Sequence, residues 1–130
     1  MDTQVVHDVL ARSQAGELTF PQVVGALLAE GVESYFIDLA SGTDIVYATD
    51  GMTFIDKMTV PRPEIAGEFS AAGLVAAIRG AQADAIRYPE FVRQATAAGT
   101  TAYWAFLTGR KVVYFGRKGE MHVELFPGTK

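Results

Sequence analysis

Cysteine is absent from the 130 residues of this sequence, which excludes disulfide bonds, thiolate metal ligands and cysteine nucleophiles. Histidine occurs only at His7 and His122, so any imidazole chemistry depends on these two side chains. The patterns G-x-x-x-x-G-K-[ST], G-x-G-x-x-G, H-E-x-x-H and G-x-S-x-G do not occur either. The common signatures of nucleotide-binding proteins and hydrolases are therefore missing.

Long apolar runs are also missing, and none approaches the ~18 residues of a membrane span. The chain opens Met1-Asp2-Thr3 without a basic or apolar leader, so we expect no signal peptide, no membrane association and a cytoplasmic location. Apolar residues make up 49% of the chain and charged residues 20%, which is typical of a soluble globular protein.

Charge is divided unevenly along the chain, although the net charge is −4. Residues 1–65 carry ten acids and three bases, a net −7, and residues 66–130 carry five acids and eight bases, a net +3. The acidic total does not favour nucleic acid as a partner. The asymmetry is either ordinary surface variation or a sign that the acidic half faces the basic half, within the chain or across a homodimer.

A stretch of the sequence occurs twice, 68 residues apart. The first copy, SQAGELTFPQVVGALLAEGVESYFIDL, covers residues 13–39, and the second, AQADAIRYPEFVRQATAAGTTAYWAFL, covers residues 81–107. The identical positions include Pro21/Pro89, Gly31/Gly99 and Tyr35/Tyr103. With one residue deleted, Gly42 aligns with Gly109 and Tyr47 with Tyr114. The chain is therefore predicted to be an internal duplication.

Each repeat begins with two predicted helices. The second helix of the first repeat has an apolar face with period 3.6, a capping box of Thr19 and Gln22, and a left-handed stop at Gly31. Its counterpart in the second repeat has a proline in the first turn and a stop at Gly99. The first helices are predicted to follow Asp2 or Thr3 and to cover residues 65–83, with Ser70 capping the main part of the latter.

Three predicted strands follow each helix pair, because these segments are rich in β-branched and aromatic residues between turn signals. They are Val32–Leu39, Asp44–Ala48 and Met52–Ile55, then Thr100–Leu107, Lys111–Gly116 and Glu120–Phe126. The unit helix–helix–strand–strand–strand predicts an α+β fold, an antiparallel sheet with the helices packed on one face. We expect a single domain, residues 1–130, with repeats at about 3–56 and 65–126 and a proline-containing connection at 57–64.

The last predicted strand carries a possible metal site. Alternation places Glu120, His122 and Glu124 on one face of the strand, and oxygen and nitrogen ligands of this kind suit zinc or iron. The alternative is a solvated strand face whose charges share a spacing by chance. His7 is either a distant second imidazole or a residue on the polar side of the first helix.

Two further features are candidates for chemistry. The repeated tyrosines Tyr35/Tyr103, with Tyr47/Tyr114, either line a pocket with phenol donors or are packed in the core. Asp38 lies mid-strand among apolar residues; if it is buried, its environment is that of a general base, and otherwise it is exposed or paired with a nearby turn.

Two long strings, ARSQAGELTFPQVVGALLAEGVESY and the ending G-R-K-V-V-Y-F-G-R-x-G-E-x-H-V-E, support a family resemblance. The sequence resembles the YbcV/YdfO-like bacterial and prophage proteins, a domain family of unknown function sometimes labelled phage envelope protein. The resemblance covers nearly the whole chain. It implies family membership and a phage setting, and it brings no activity, cofactor or catalytic residue.

These observations leave two functional hypotheses. The first is a non-enzymatic binding or interaction module whose partner is a second copy of the chain, another protein or a small molecule. The second is a metal-dependent enzyme or metal-binding protein that uses Glu120, His122 and Glu124, with Asp38, Tyr35 or Tyr103 assisting His122. The cofactor is unknown under either hypothesis.

Overall fold

A computed structural model describes residues 1–59 and 63–128, which form four helices and six strands. The first repeat contains α1 (Thr3–Gln14), α2 (Phe20–Ala29), β1 (Val32–Asp38), β2 (Thr43–Ala48) and β3 (Thr53–Lys57). The second contains α3 (Ala71–Gln82), α4 (Tyr88–Ala97), β4 (Thr100–Phe106), β5 (Lys111–Gly116) and β6 (Met121–Leu125). The predicted α+β fold, with the helix–helix–strand–strand–strand unit present twice, is confirmed.

The six strands form one antiparallel sheet in the order β3-β2-β1-β4-β5-β6. The repeats therefore meet at the centre of the sheet, where β1 pairs with β4. Phe36 lies opposite Trp104 in this ladder, and the two residues are equivalent positions of the 68-residue repeat. A pseudo-twofold axis consequently passes through the sheet between them.

The duplication continues beyond the similar stretch without any gap. Gly42 has a left-handed backbone with φ +72°, and Arg110, 68 residues later, adopts φ +57°. Pairing agrees, because Ser34 lies opposite Tyr47 in the first repeat and Ala102 opposite Phe115 in the second. The one-residue deletion that aligned Tyr47 with Tyr114 is therefore wrong. Arginine in the left-handed conformation concealed the true alignment, since glycine is the residue that a sequence comparison expects there.

Helix ends follow the predicted signals. The Asp2 side chain caps α1, Thr19 and Gln22 form a capping box at α2, and Ser70 caps α3. The prediction that the third helix begins near residue 65 is wrong. The backbone N–H groups of Ala66 and Ser70 donate to carbonyl groups at the end of α4, so this segment is extended. The predicted connection at 57–64 includes residues 60–62, which lie outside the described residues.

All four helices lie on one face of the sheet, as predicted. Their apolar sides pack on alternate residues of the strands, including Tyr35, Ile37, Val46, Tyr103 and Tyr114. The remaining strand residues form an open face that no described helix covers. Among residues 1–59 and 63–128, no helix combines the length and apolarity needed to cross a membrane.

Gly31 and Gly99 end equivalent helices with φ +79° and +90° but differ in their surroundings. A Cβ at Gly99 would clash with the Glu68 carbonyl oxygen, whereas the nearest atom at Gly31 is Thr49 Oγ1 at 3.9 Å. Either glycine replaced by alanine loses about 1–2 kcal/mol to the left-handed backbone. We expect Gly99→Ala to lower the free energy of unfolding by about 1–3 kcal/mol more than Gly31→Ala, measured by urea denaturation. Equal losses would contradict the close backbone contact.

Candidate binding sites

A cavity of about 320 Å³ lies between the two helix pairs and the centre of the sheet. Both repeats build it: the C-terminal ends of α1 and α3, the N-terminal ends of α2 and α4, and the helix-facing side of the central strands. Its walls are mainly apolar and include Leu10, Val23, Ile78, Phe91 and Val112. Its volume is at the lower end of the range typical of small-molecule pockets, about 300–1,000 Å³.

Four tyrosines supply most of the polar atoms of this cavity, and we call Tyr35, Tyr88, Tyr103 and Tyr114 the tyrosine cluster. The hydroxyl oxygens of Tyr88 and Tyr103 lie 2.7 Å apart, and the ring centroids of Tyr103 and Tyr114 lie 5.5 Å apart. Burial raises the pKa of every member above the ordinary 10.0 of a phenol, so the cluster is neutral at physiological pH.

The structure thus brings three of the four repeated tyrosines to one cavity wall, as the pocket hypothesis requires. Tyr47 lies on the opposite face of the sheet, where its ring stacks on Trp104 at 5.6 Å. The reason is the gap-free repeat: Tyr47 and Tyr114 differ by one residue in register, and a one-residue difference places a strand side chain on the other face. The sequence contained no signal for Tyr88, whose counterpart in the first repeat is Phe20.

A buried carboxyl group, Asp44, lies beside this cavity and was not identified from the sequence. Gln14 Nε2 donates to Asp44 Oδ2 at 2.8 Å, and Oδ1 has no partner among the described residues. Burial raises the pKa of Asp44 from 3.8 to about 7, the hydrogen bond from Gln14 opposes the shift, and nearby Asp56 adds to it. The available signal was strand alternation, which places Asp44 on the helix-facing side with Val46.

The residues of the predicted metal site take separate roles. His122 Nε2 lies 3.2 Å from Glu124 Oε1, and Arg79 donates to Glu124 Oε2 at 2.7 Å. Burial acts to raise the pKa of Glu124, but hydrogen bonds from Arg79, His122 and Gln82 bring it below its ordinary value. Glu120 instead accepts from the Lys118 N–H at 2.9 Å, in the turn before β6. Within residues 1–59 and 63–128, no three histidines or carboxylates form a group suited to a metal ion.

The two histidines lie at opposite edges of the sheet. His7 Nδ1 is 2.6 Å from Asp56 Oδ2 on edge strand β3, and the hydrogen bond and charge of Asp56 raise the pKa of His7. His122 lies on the other edge strand, β6. The structure therefore does not bring the two imidazoles together.

Asp38 caps a turn on the open side of the sheet. Its Oδ1 accepts from the N–H groups of Ala40 and Ser41 at 3.0 and 3.2 Å. Of the alternatives that the sequence left open, the structure favours pairing with the turn. Asp38 does not reach the cavity.

The open face of the sheet is a second candidate site. One residue from each strand, in register across the whole sheet, forms what we call the apolar row: Ile55, Ile45, Phe36, Trp104, Val113 and Val123. The rings of Phe36 and Trp104 meet edge to face at 5.3 Å across the pseudo-twofold axis. At the two ends of the row, Ile55 and Val123 remain 68% and 50% exposed. The row is therefore a continuous apolar strip on an uncovered surface.

Fold and sites together define an internally duplicated α+β protein with a tyrosine-lined cavity on one side of its sheet and an apolar surface on the other. The family model described as protein of unknown function (DUF1398) matches residues 12–124, which include nearly all of both repeats. The chain belongs to this family. A comparison with curated proteins found no match.

Asp44 gives the stability of the protein a predictable pH dependence. Its pKa is higher in the folded chain than the ordinary 3.8, so between about pH 4 and 7 the folded state retains a proton that the unfolded state releases. The free energy of unfolding should therefore fall as the pH rises through this window and level off above it, by an amount on the order of a few kcal/mol. Asp44→Asn should remove this contribution and be more stable than the wild type at pH 8.

The measurement is urea denaturation at intervals from pH 4 to 8. Asp50→Asn is the matched control, because Asp50 lies in an exposed turn and asparagine retains the oxygen that accepts from the Met52 N–H. The control should follow the wild-type profile. Parallel profiles for wild type and Asp44→Asn would show that Asp44 does not titrate as its burial requires.

Proposed function

We propose that this protein is an interaction module that forms a homodimer by stacking the open faces of two sheets. The observation that carries the proposal is the apolar row, which crosses all six strands without a polar residue. Further apolar side chains flank it, including Phe106, Phe115 and the exposed Met121 and Leu125. Exposed apolar surfaces of this extent mark interaction sites.

The size of the open face suits a protein partner. Six strands spaced about 4.8 Å apart and about five residues long give a flat area on the order of 500 Å², and the accessible surface of the side chains is larger. This approaches the ~800 Å² per partner of a standard interface. Two sheets stacked about 10 Å apart would form four layers, helix–sheet–sheet–helix, with the apolar rows in the middle.

Charge favours a second copy as the occupant and also favours one orientation. A twofold axis parallel to the strands lays the first repeat of one copy over the second repeat of the other. The first half of the chain carries −7 and the second half +3, so this arrangement brings opposite charges together. It also lays Ile55 over Val123 of the second copy, because both lie in the apolar row at opposite edges of the sheet.

The alternative function, metal-dependent chemistry at Glu120, His122 and Glu124, has no comparable support. Glu120 is engaged by the Lys118 backbone and Glu124 by Arg79. The YbcV/YdfO-like assignment, its phage label and the cytoplasmic location stay predictions of the sequence.

Dimer formation is tested with lysines at the most exposed positions of the row. We expect wild type to sediment as a dimer at about 100 μM and Ile55→Lys/Val123→Lys to be monomeric, with the dissociation constant raised at least ~100-fold by two desolvated charges. The control is Leu28→Lys on α2, an exposed leucine away from the sheet, which should remain dimeric. A wild type that stays monomeric up to about 1 mM, or a dimeric double-lysine variant, would refute the proposal.

The orientation is tested with Ile55→Lys/Val123→Glu. If the first repeat lies over the second, each lysine faces a glutamate and dimerisation should recover in part relative to the double-lysine variant. If the twofold axis is instead perpendicular to the strands, lysine faces lysine and glutamate faces glutamate, and both variants should be monomeric. Sedimentation velocity at matched concentrations, in low and high salt, distinguishes the two results.

A further inference from the structure

We infer that the cavity above the sheet centre binds a small, uncharged, mostly apolar molecule that carries a hydroxyl or carbonyl oxygen. This inference does not depend on the proposed dimer, because the cavity lies on the helix side of the sheet and the apolar row lies on the other. It rests on the size of the cavity, on its hydroxyl groups and on the arrangement of charges around it.

The cavity is large for a chain of this length. Protein interiors are packed at the density of organic crystals and leave few voids larger than a water molecule. Here the four helices and the sheet enclose about 320 Å³ with walls of aliphatic and aromatic side chains. Such a space accommodates a molecule of about two fused aromatic rings, and apolar walls favour a ligand with little polar surface.

Two hydroxyl groups in the wall have no hydrogen-bond partner among the described residues, 1–59 and 63–128. They belong to Tyr35 and Tyr114, while Tyr88 and Tyr103 bond to each other. A neutral phenol both donates and accepts a hydrogen bond. A buried polar group without a partner is costly, so a ligand oxygen that meets either hydroxyl is favoured over a purely apolar ligand.

The charges around the cavity select against ions. Glu124 lines it as a carboxylate, and Arg87 is the one cationic side chain among the described lining residues. Arg87 is already engaged by Asp84 and by the Gly16 carbonyl oxygen, so an anion would find no available cation. Glu124 is itself paired with Arg79, so it offers little to a cation. An uncharged ligand fits this balance best.

The test uses three probes of the same shape: 2-naphthol, naphthalene and 2-naphthoate, each titrated into the protein at pH 7 by calorimetry. We expect 2-naphthol to bind one molecule per chain. Naphthalene, which lacks the hydroxyl, should bind about 3- to 10-fold more weakly. Naphthoate, which is anionic, should bind at least ~10-fold more weakly than 2-naphthol because its charge finds no partner.

Variants locate the probe. Tyr35→Phe and Tyr114→Phe together should lower the affinity for 2-naphthol to that for naphthalene and leave naphthalene unchanged, which a general loss of packing would not do. Ala81→Phe should fill the cavity and abolish binding of all three probes, with thermal melting as the check that it folds. Tyr47→Phe is the matched control, since this tyrosine lies on the open face, and it should bind all probes as the wild type does.

Three results would overturn the inference: no binding of 2-naphthol at millimolar concentration, naphthoate bound more tightly than 2-naphthol, or an effect of Tyr47→Phe as large as that of the double phenylalanine variant. Ile55→Lys/Val123→Lys separates this inference from the dimer proposal. It should bind 2-naphthol as the wild type does, whatever its oligomeric state. Loss of binding in that variant would place the probe on the open face and overturn the cavity assignment.

Discussion

The antiparallel ladder between β1 and β4 is the interaction on which the rest of this structure depends. It runs from Ser34 opposite Phe106 to Asp38 opposite Ala102 and joins two repeats into one sheet. Equivalent residues, Phe36 and Trp104, face each other at its centre, so both helix pairs lie on the same side of the sheet. A shift of one residue in this ladder would turn the inward side chains of one repeat outward.

The repeats share a frame but have diverged in the residues that face the helices. Where the first repeat buries Asp44, the second has Val112, and where the first has Val46, the second has Tyr114. Each repeat nevertheless anchors its edge strand to a helix through a carboxylate at the same position. Asp56 bonds to His7 in the first repeat, and its equivalent Glu124 bonds to Arg79 in the second. Divergence within a retained frame thus gave the cavity its polar groups.

The two faces of the sheet have different chemical characters because alternate residues of each strand belong to different surroundings. The helix-facing residues include hydroxyl and carboxyl groups whose pKa values are shifted by burial and by their neighbours. The open face presents aromatic and aliphatic side chains, and its polar residues, such as Asp38, lie in turns at its margin. One sheet therefore separates an enclosed site from a surface site by only one strand thickness.

The local features of this fold were determined by the sequence alone: helix caps at Asp2 and Thr19, the left-handed stop at Gly31, strand alternation and the duplicated unit. Each of these depends on residues within a few positions of one another. Tertiary structure decided the burial of Asp44, the opposite faces of Tyr47 and Tyr114, and the separation of His7 from His122. These outcomes depend on strand register and sheet order, which are set by contacts between residues tens of positions apart. The turn at Arg110 shows the limit, because a left-handed arginine costs only about 1–2 kcal/mol and the surrounding sheet supplies that energy.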